Sequence, residues 1–226
     1  MNSEVITLEN AGITTFYKVK RAIYLFIKRV FDICISLIGI ALLIPISLII
    51  KIAYMCTGDF TSIFFVQERI GKGGKLFKFY KFRTMVPNAD EILPKLLKEN
   101  KKLAEEYKKN KKLKNDPRIT KIGKITRKCS VDEMPQFINI LLGNMSLIGN
   151  RPYLLREKED MGKYYDDIVS TKPGLTGYWQ TSGRNDVSFK RRLELEQEYS
   201  KRAGFKLDTK IFFKTFVVVI CGRGAD

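Results

Sequence analysis

The sequence predicts an α+β protein, mostly helical and membrane-associated. It has a small β-hairpin, an N-terminal membrane-inserted helix and interfacial amphipathic helices. Three observations carry this reading. Ile33 to Ile50 runs eighteen residues without a charge. Two strand-like segments flank a glycine turn between Ser62 and Phe82. From Asn88 onward, apolar residues recur near helical spacing in a lysine-rich background. A chain of 226 residues is long enough for one domain with a real core, and no repeat divides it.

Residues Met1 to Tyr17 are polar and unpatterned, and read as a flexible lead-in. A basic amphipathic stretch follows, with Lys18, Lys20, Arg21, Lys28 and Arg29 around Tyr24 to Ile27. The expected organisation is a lead-in over 1–27, a membrane-inserted helix over 28–54 and a folded domain over 55–226. As a straight helix the apolar run covers about 27 Å, just short of a hydrocarbon core of about 30 Å. The preceding region is too long for a cleaved signal peptide, and no small-residue cleavage site follows. Pro45 falls two-thirds of the way along and predicts a break. Cations lie at both ends, so charge asymmetry assigns no sidedness. A full span and a re-entrant helix that turns back at Pro45 both remain open.

Beyond the membrane segment, Ser62–Val66 reads as a strand, Gly71–Gly74 as a turn and Leu76–Phe82 as a second, alternating strand. Asn88–Lys114 reads as an amphipathic helix or pair, with Pro94 near a first turn or a break. Ser130–Leu142 reads as a helix capped by Ser130 or Asp132. Thr171–Arg184 is a Gly/Pro/aromatic loop suited to a pocket or to an ordinary connector. Ser188–Arg202 is a charged amphipathic helix. The apolar stretch Ile211–Cys221 is too short to span and packs inside or lies in the interface.

Lys and Arg number 41 against 24 acids, a net charge of +17 that favours anionic partners: nucleic acid, anionic lipid or nucleotide phosphates. The four cysteines are scattered, forming neither a zinc pattern nor a disulfide framework. Histidine is absent, so any acid, base, nucleophile or metal ligand comes from another residue type.

The candidate chemistry centres on Asp132 and Glu133, adjacent acids at a helix start, with Arg127 and Lys128 upstream and Arg151 downstream. Such a pair is commonly a solvated salt-bridge partner. Read as a site, it suits a nucleophile or a metal ligand, because backbone N–H groups keep a carboxylate ionised there. Mg²⁺ takes one or two carboxylates plus substrate phosphate oxygens. Lys81 and Arg83, two apart at a strand end, can share a face, and the guanidinium groups of Arg127 and Arg151 could neutralise phosphate.

These segments resemble the bacterial sugar transferases, the small monotopic phosphoglycosyl transferases. The matching blocks are KRVFD (28–32), QERIGKGGKLFKFYKFRTM (67–85), DPRITKIGKITRKCSVDEMPQFINILLGNMSLIGNRP (116–152), PGLTGYWQTSGRN (173–185) and the closing LDTKIFFKT with GRG. They occur in family order from Lys28 to the C-terminus. The length is similar to the small catalytic form, whose longer relatives carry extra transmembrane helices and a further domain ahead of this core.

The resemblance implies transfer of a sugar-1-phosphate from a UDP-sugar to undecaprenyl phosphate, releasing UMP, for exopolysaccharide or capsule assembly. It implies Asp132 as a nucleophile that forms a phosphoglycosyl-aspartyl intermediate, with Glu133 beside it near Mg²⁺. Lys81, Arg83 and Arg127 resemble the family's phosphate-binding cations, and Arg151 is their companion. Trp179 and Arg184 are inferred to help hold the nucleotide sugar. The implied location is the bacterial inner membrane, with a re-entrant helix and the catalytic domain on the cytoplasmic face among membrane lipids. No nucleic-acid partner is implied, and a homodimer is compatible with the sequence.

Two departures stand out. The family often breaks its apolar segment at Ser-Pro, whereas Ile44 precedes Pro45 here and the nearest serine is Ser47. Gly149-Asn150-Arg151-Pro152 stands where Gly-Pro-Arg-Pro is frequent. The charge alone would also allow a basic membrane-surface or nucleic-acid-binding scaffold without catalysis. That alternative predicts no turnover and no special role for the two acids.

Overall fold

A computed structural model describes residues 2–110, 113–182 and 187–220, with side chains from 15 onward except at 109–112, 183–186 and beyond 216. The N-terminal element is a helix, α1 (Asn2–Cys56). It includes the expected lead-in and the apolar run alike. Its 55 residues would extend about 80 Å if straight.

The helix is not interrupted at Pro45, contrary to the sequence expectation. Residues on both sides of the proline are seated in one apolar cluster: Leu43 before it, and Ile46, Ile50 and Tyr54 after it, with Phe82 and Ile63. That packing supports α1 on both sides of the position where the proline removes a backbone bond. The Ser47 hydroxyl donates to the Leu43 carbonyl at 2.7 Å, so it does not serve the Ala41 carbonyl, whose usual partner is the missing Pro45 N–H.

α1 lies against the rest of the protein along a stripe of four- and seven-residue steps, one or two helical turns each: Asp32, Ser36, Leu43, Ile50 and Tyr54, all buried. Gly39 permits close approach to the next layer, since a Cβ there would sit 2.4 Å from the Phe137 ring. Its outer face is apolar and bare. Phe26 and Ile44 are 70% and 71% exposed, and Ile38, Leu48 and Ile49 are similarly uncovered.

Both flanks of the apolar run are bonded to one body. Before it, Arg29 donates to the Ile140 and Leu141 carbonyls, and Asp32 accepts from the Leu147 N–H at 2.8 Å. Lys28 pairs with Asp208 and donates to the Ile148 carbonyl. After the run, Lys51 donates to the Phe60 and Thr61 carbonyls, and Tyr54 to the Arg83 carbonyl.

The hairpin forms as the alternation predicts. β1 (Phe64–Ile70) pairs antiparallel with β2 (Leu76–Phe82), from Phe64 opposite Phe82 to Ile70 opposite Leu76. β1 extends further than Ser62–Val66 because seven residues of β2 draw Gln67 to Ile70 into the ladder. Gly73 and Gly74 supply the positive φ of the turn. The lysine-rich segment is a helix pair, α2 (Ala89–Glu99) and α3 (Lys101–Asn110). Asn100 separates them: its N–H closes α2 on Leu96, and its side chain accepts from the Leu103 N–H.

α4 (Lys121–Lys128) is capped by Thr120, whose hydroxyl accepts from the Gly123 N–H at 2.9 Å. A single 3₁₀ turn over Val131–Glu133 then leads into α5 (Gln136–Leu142). The expected cap at Ser130 or Asp132 is not made. Ser130 sits at φ 54° without a capping bond, and Pro135, which has no N–H, tightens the entry so that Met134 bonds back to Val131.

β3 (Ser146–Ile148) and β4 (Gly174–Thr176) form a short parallel pair, so the Gly/Pro/aromatic loop contains a strand. Two short helices, α6 (Lys158–Met161) and α7 (Tyr165–Val169), lie between them. α8 (Phe189–Arg202) starts at Ser188, whose hydroxyl accepts from the Arg191 N–H. α9 (Phe205–Ile220) buries Ile211 and leaves Phe213 and Phe216 exposed.

Candidate functional site

Asp132 and Glu133 meet Lys81. The lysine, next to last in β2, places Nζ 3.2 Å from Asp132 Oδ2 and 3.3 Å from Glu133 Oε1. Asp132 is buried while the Glu133 side chain is 42% exposed, so the two acids differ in surroundings. Asp132 Oδ1 and Glu133 Oε2 take no hydrogen bond or ion pair from a described residue.

The alignment of β2 with the acidic turn depends on a residue that sequence reasoning missed. Asn139, fully buried in α5, accepts from the Tyr80 N–H at 3.0 Å and donates to the Lys78 carbonyl at 2.6 Å. It completes the β2 edge as a neighbouring strand would, locking α5 and its leading turn onto Lys81. The available signal was an amide inside an otherwise apolar helical stripe, Phe137-Ile138-Asn139-Ile140.

Arg127, in the last turn of α4, donates from Nε to the Thr84 hydroxyl at 3.0 Å. Desolvation lowers its pKa, while the charges of Asp132 and Asp116 act in the opposite direction, which places it in the field of the acidic turn. Gly123 lets α4 press this close, because a Cβ there would lie 1.9 Å from the Thr84 carbonyl oxygen. Asp116 and Arg118 form a buried two-bond pair, and Arg118 also donates to the Ala89 carbonyl.

Arg83 is used differently from Lys81. Its Nε, Nη1 and Nη2 donate to the Ser62 carbonyl, the Met85 carbonyl and Asp59, and its guanidinium stacks 4.4 Å over the Tyr54 ring. It ties α1 and the connector after it to the end of β2. Arg151 and Trp179 do not join Lys81 at the acidic turn. They meet Arg69 of β1 and Arg192 of α8 in a second cluster: the Arg192 guanidinium lies 4.4 Å over Trp179, and Arg151 faces Tyr153. Arg184 lies outside the described residues.

No group of three or more His, Cys, Asp or Glu side chains able to hold a metal occurs among the described residues. A hard divalent cation bound by two carboxylates, with substrate oxygens completing its shell, needs no third protein acid. The two oxygens left unbonded by Lys81 fit that role. An apolar cavity of about 300 Å³ lies elsewhere, between Tyr24, Phe31, Ile148 and Phe212.

Residues 23–222 match the family model of the bacterial sugar transferases. The chain is 44% identical over 203 residues to an undecaprenyl-phosphate galactose phosphotransferase of Salmonella typhimurium, covering 88% of this chain and 42% of that protein. It is 43% identical over 200 residues to a UDP-galactose-lipid carrier transferase of Erwinia amylovora, again covering 88% and 42%. To the exopolysaccharide production protein ExoY of Sinorhizobium fredii it is 39% identical over 198 residues, covering 88% of this chain and 87% of that one. The chain thus spans less than half the length of the first two and most of the third. With nearly all of its length matched, the chain belongs to the bacterial sugar transferase family.

Proposed function

We propose that this chain transfers a sugar-1-phosphate from a UDP-sugar to a polyprenyl phosphate, undecaprenyl phosphate in a bacterial membrane, and releases UMP. The observation that carries the reading is the Lys81 bridge to two adjacent carboxylates of unequal burial. A cation holding a buried Asp in one orientation, with its second oxygen unbonded, prepares that oxygen for attack. The names of the Salmonella and Erwinia relatives make galactose-1-phosphate the first group to test.

In the first step Asp132 attacks the phosphorus attached to the sugar. A bond forms from its carboxylate oxygen to phosphorus, and the bond from that phosphorus to the bridging oxygen breaks. The electron pair leaves with UMP. In the second step an oxygen of the polyprenyl phosphate attacks the same phosphorus, expelling Asp132 and giving the polyprenyl-diphospho-sugar. Two displacements through one carboxylate predict ping-pong kinetics. Lys81 orients Asp132 before attack and can turn to the phosphoryl oxygens once the carboxylate is esterified. Arg127 supports negative charge on the transferred group.

Asp132 and Glu133 would hold Mg²⁺ through their unbonded oxygens. When bound, the ion would neutralise phosphate oxygens and favour departure of the nucleotide. Glu133, the more exposed acid, keeps the acidic turn open to water and substrate. The outer face of α1 and the bare aromatics of α9 lie in the interface of the bacterial inner membrane, with the catalytic domain on the cytoplasmic face. That face meets both the soluble donor and the lipid phosphate, in the first membrane step of exopolysaccharide or capsule assembly.

The test is transfer of radiolabel from UDP-[¹⁴C]galactose to a lipid fraction, with UMP release, dependent on Mg²⁺ and polyprenyl phosphate. Asp132→Asn keeps shape and volume and is expected to abolish turnover while preserving the melting transition. Substantial residual turnover in that variant would remove Asp132 as nucleophile.

A further inference from the structure

Lys81 and Thr84 lie close together on the segment that leaves β2, and each reaches across to the run that carries the two acids. Lys81 takes Asp132 and Glu133, while the Thr84 hydroxyl accepts from Arg127 Nε at 3.0 Å. On the facing run the Arg127 carbonyl accepts from the Ser130 N–H at 3.0 Å, where α4 gives way to the acidic turn. The two segments are thereby joined at two points, one through each cation.

Thr84 is fixed from both sides. The Val86 N–H donates to the Arg118 carbonyl at 2.8 Å and the Thr120 N–H to the Thr84 carbonyl at 3.0 Å, with Met85 opposite Ile119 in an antiparallel bridge. One residue earlier, the Arg83 N–H donates to the Ile63 carbonyl, and the Arg83 carbonyl accepts from Tyr54 Oη, each at 2.7 Å. Tyr54 Oη also lies 3.1 Å from the Thr120 hydroxyl, so the end of α1 braces both sides of this ladder. Thr84 is buried, and its branched Cβ restricts rotation about χ1. Its hydroxyl therefore has a set direction.

Arg127 is an exposed residue, and Nε is its one side-chain nitrogen with a hydrogen-bond partner among the described residues. A long side chain at an exposed helix end samples many rotamers, whereas one held at Nε keeps its plane. Holding Nε leaves the opposite edge of the guanidinium, Nη1 and Nη2, free. That edge is a planar two-donor fork of the kind that matches phosphoryl oxygens. Arg83 offers no such edge, because its Nε, Nη1 and Nη2 are all committed to protein oxygens.

We propose that Thr84 is a positioning residue for the transfer: its hydroxyl pins Arg127 through Nε, so that the Nη1–Nη2 fork stands ready for the phosphoryl group that passes through Asp132. The inference rests on the proposed transferase reaction. Negative charge on the phosphoryl oxygens is stabilised more by a donor already in place than by one that must be oriented during the step. Lys81 and Arg127 then act from one scaffold, since residues 81 and 84 belong to one continuous segment held by the ladder and by Tyr54.

The test compares Thr84→Val, which keeps the shape and loses the acceptor, with Thr84→Ser, which keeps the acceptor, in the full chain. Thr84→Ala is measured alongside, so that the conclusion does not depend on the folding of one variant. In transfer from UDP-galactose to polyprenyl phosphate, Thr84→Val and Thr84→Ala are expected to lower kcat at least tenfold (a fold-change set by the loss of one oriented donor). KM for the donor should stay within about threefold, and Thr84→Ser should keep kcat within about threefold of wild type. In an Arg127→Lys background, which has no Nε–H, Thr84→Val should lower kcat by less than about a further twofold, whereas a merely structural Thr84 would lose as much there as in wild type. Apart from turnover, ¹⁵N-arginine NMR of the chain in detergent micelles reads the Arg127 Nε–H, assigned by its loss in Arg127→Lys. Its exchange with water should be at least about tenfold faster in Thr84→Val than in wild type or Thr84→Ser. Transfer with kcat unchanged in Thr84→Val, or with equal losses in both backgrounds, overturns the positioning role and leaves the transferase reading standing. A wild-type chain that transfers no sugar, yet whose Nε–H exchange is accelerated by Thr84→Val, retains the Thr84–Arg127 pin and rejects the transferase reading.

Discussion

Lys81 Nζ lies 3.2 Å from Asp132 Oδ2 across 51 residues of sequence, and the same ammonium reaches Glu133. It is the contact that turns two adjacent acids into a poised pair. Without it, two carboxylates beside each other repel, and the buried one loses its orienting partner. Lys81→Ala is expected to lower turnover by at least a hundredfold and to lower the melting temperature as well, because it leaves the buried Asp132 carboxylate without its ion-pair partner. Lys81→Arg should recover part of the activity. Steady-state transfer assays with parallel thermal melts check both.

Arg83 presents the opposite case. Its three nitrogens are bonded to Ser62, Met85 and Asp59, and it is buried against Tyr54. Truncation would remove three hydrogen bonds from a charged group and its stack on Tyr54, so Arg83→Ala should destabilise the fold by about 3 kcal/mol. Denaturant melts read that loss directly. A variant with normal stability and only a raised KM would instead make Arg83 a substrate ligand.

How far the sequence carried these assignments depended on whether the determinant was local. Alternation over Leu76–Phe82 marked β2 to the residue, because period is read from neighbours, and the uncharged run marked the apolar part of α1, whereas the segment read as a flexible lead-in is helical from Asn2. β3 and β4 are three residues each, and their pairing joins Ser146 to Gly174, a tertiary event without local pattern. That α1 continues through Pro45 was illegible for the same reason, since the Ile63 and Phe82 that pack against residues on both sides of it come from outside the helix. The cations were visible as a set but not as two groups. Only folding shows that Lys81 reaches Asp132, that Arg83 is spent on the backbone, and that Arg151 faces Arg192. Glu196 looked like one more acid on a charged helix, yet it is 1% exposed.

Glu196 and Asp116 should give pH effects of opposite sign. Burial pushes the Glu196 carboxyl up from 4.5 to about 7. The folded state then binds the proton more tightly than the unfolded chain, so its contribution is fully present below about pH 4.5 and fades as pH rises through about 7. Burial also pushes Asp116 up, but the Arg118 hydrogen bonds outweigh it and the net shift is downward. Its contribution is present above the ordinary Asp value of about 4 and is lost as pH falls through the lower folded value. Glu196→Gln should remove a decline in stability of roughly 3 kcal/mol between pH 4.5 and 7, and Asp116→Asn should remove an acid-limb loss. Denaturant titrations at stepped pH measure both slopes, and a Glu196→Gln profile parallel to wild type would refute the first.

The membrane disposition follows from where α1 is fastened. A helix crossing the bilayer must carry its two ends to opposite sides of a core about 30 Å thick. Here Lys28, Arg29 and Asp32 before the apolar run, and Lys51 and Tyr54 after it, are all bonded to the same folded body. A crossing would have to break one set or the other, at about 1.5–3 kcal/mol for each hydrogen bond to a charged group. Lying along the domain breaks neither set and still gives the outer face, including Phe26, Ile38, Ile44 and Leu48, to lipid. In a variant with its native cysteines replaced, single cysteines at Asn10 and at Thr57 should therefore both react with a membrane-impermeant maleimide from the cytoplasmic side. One at Ile44, on the bare face, should be protected until detergent is added. Labelling of positions 10 and 57 from opposite sides would establish a full span and would require the Arg29 or the Lys51 contacts to open in the membrane.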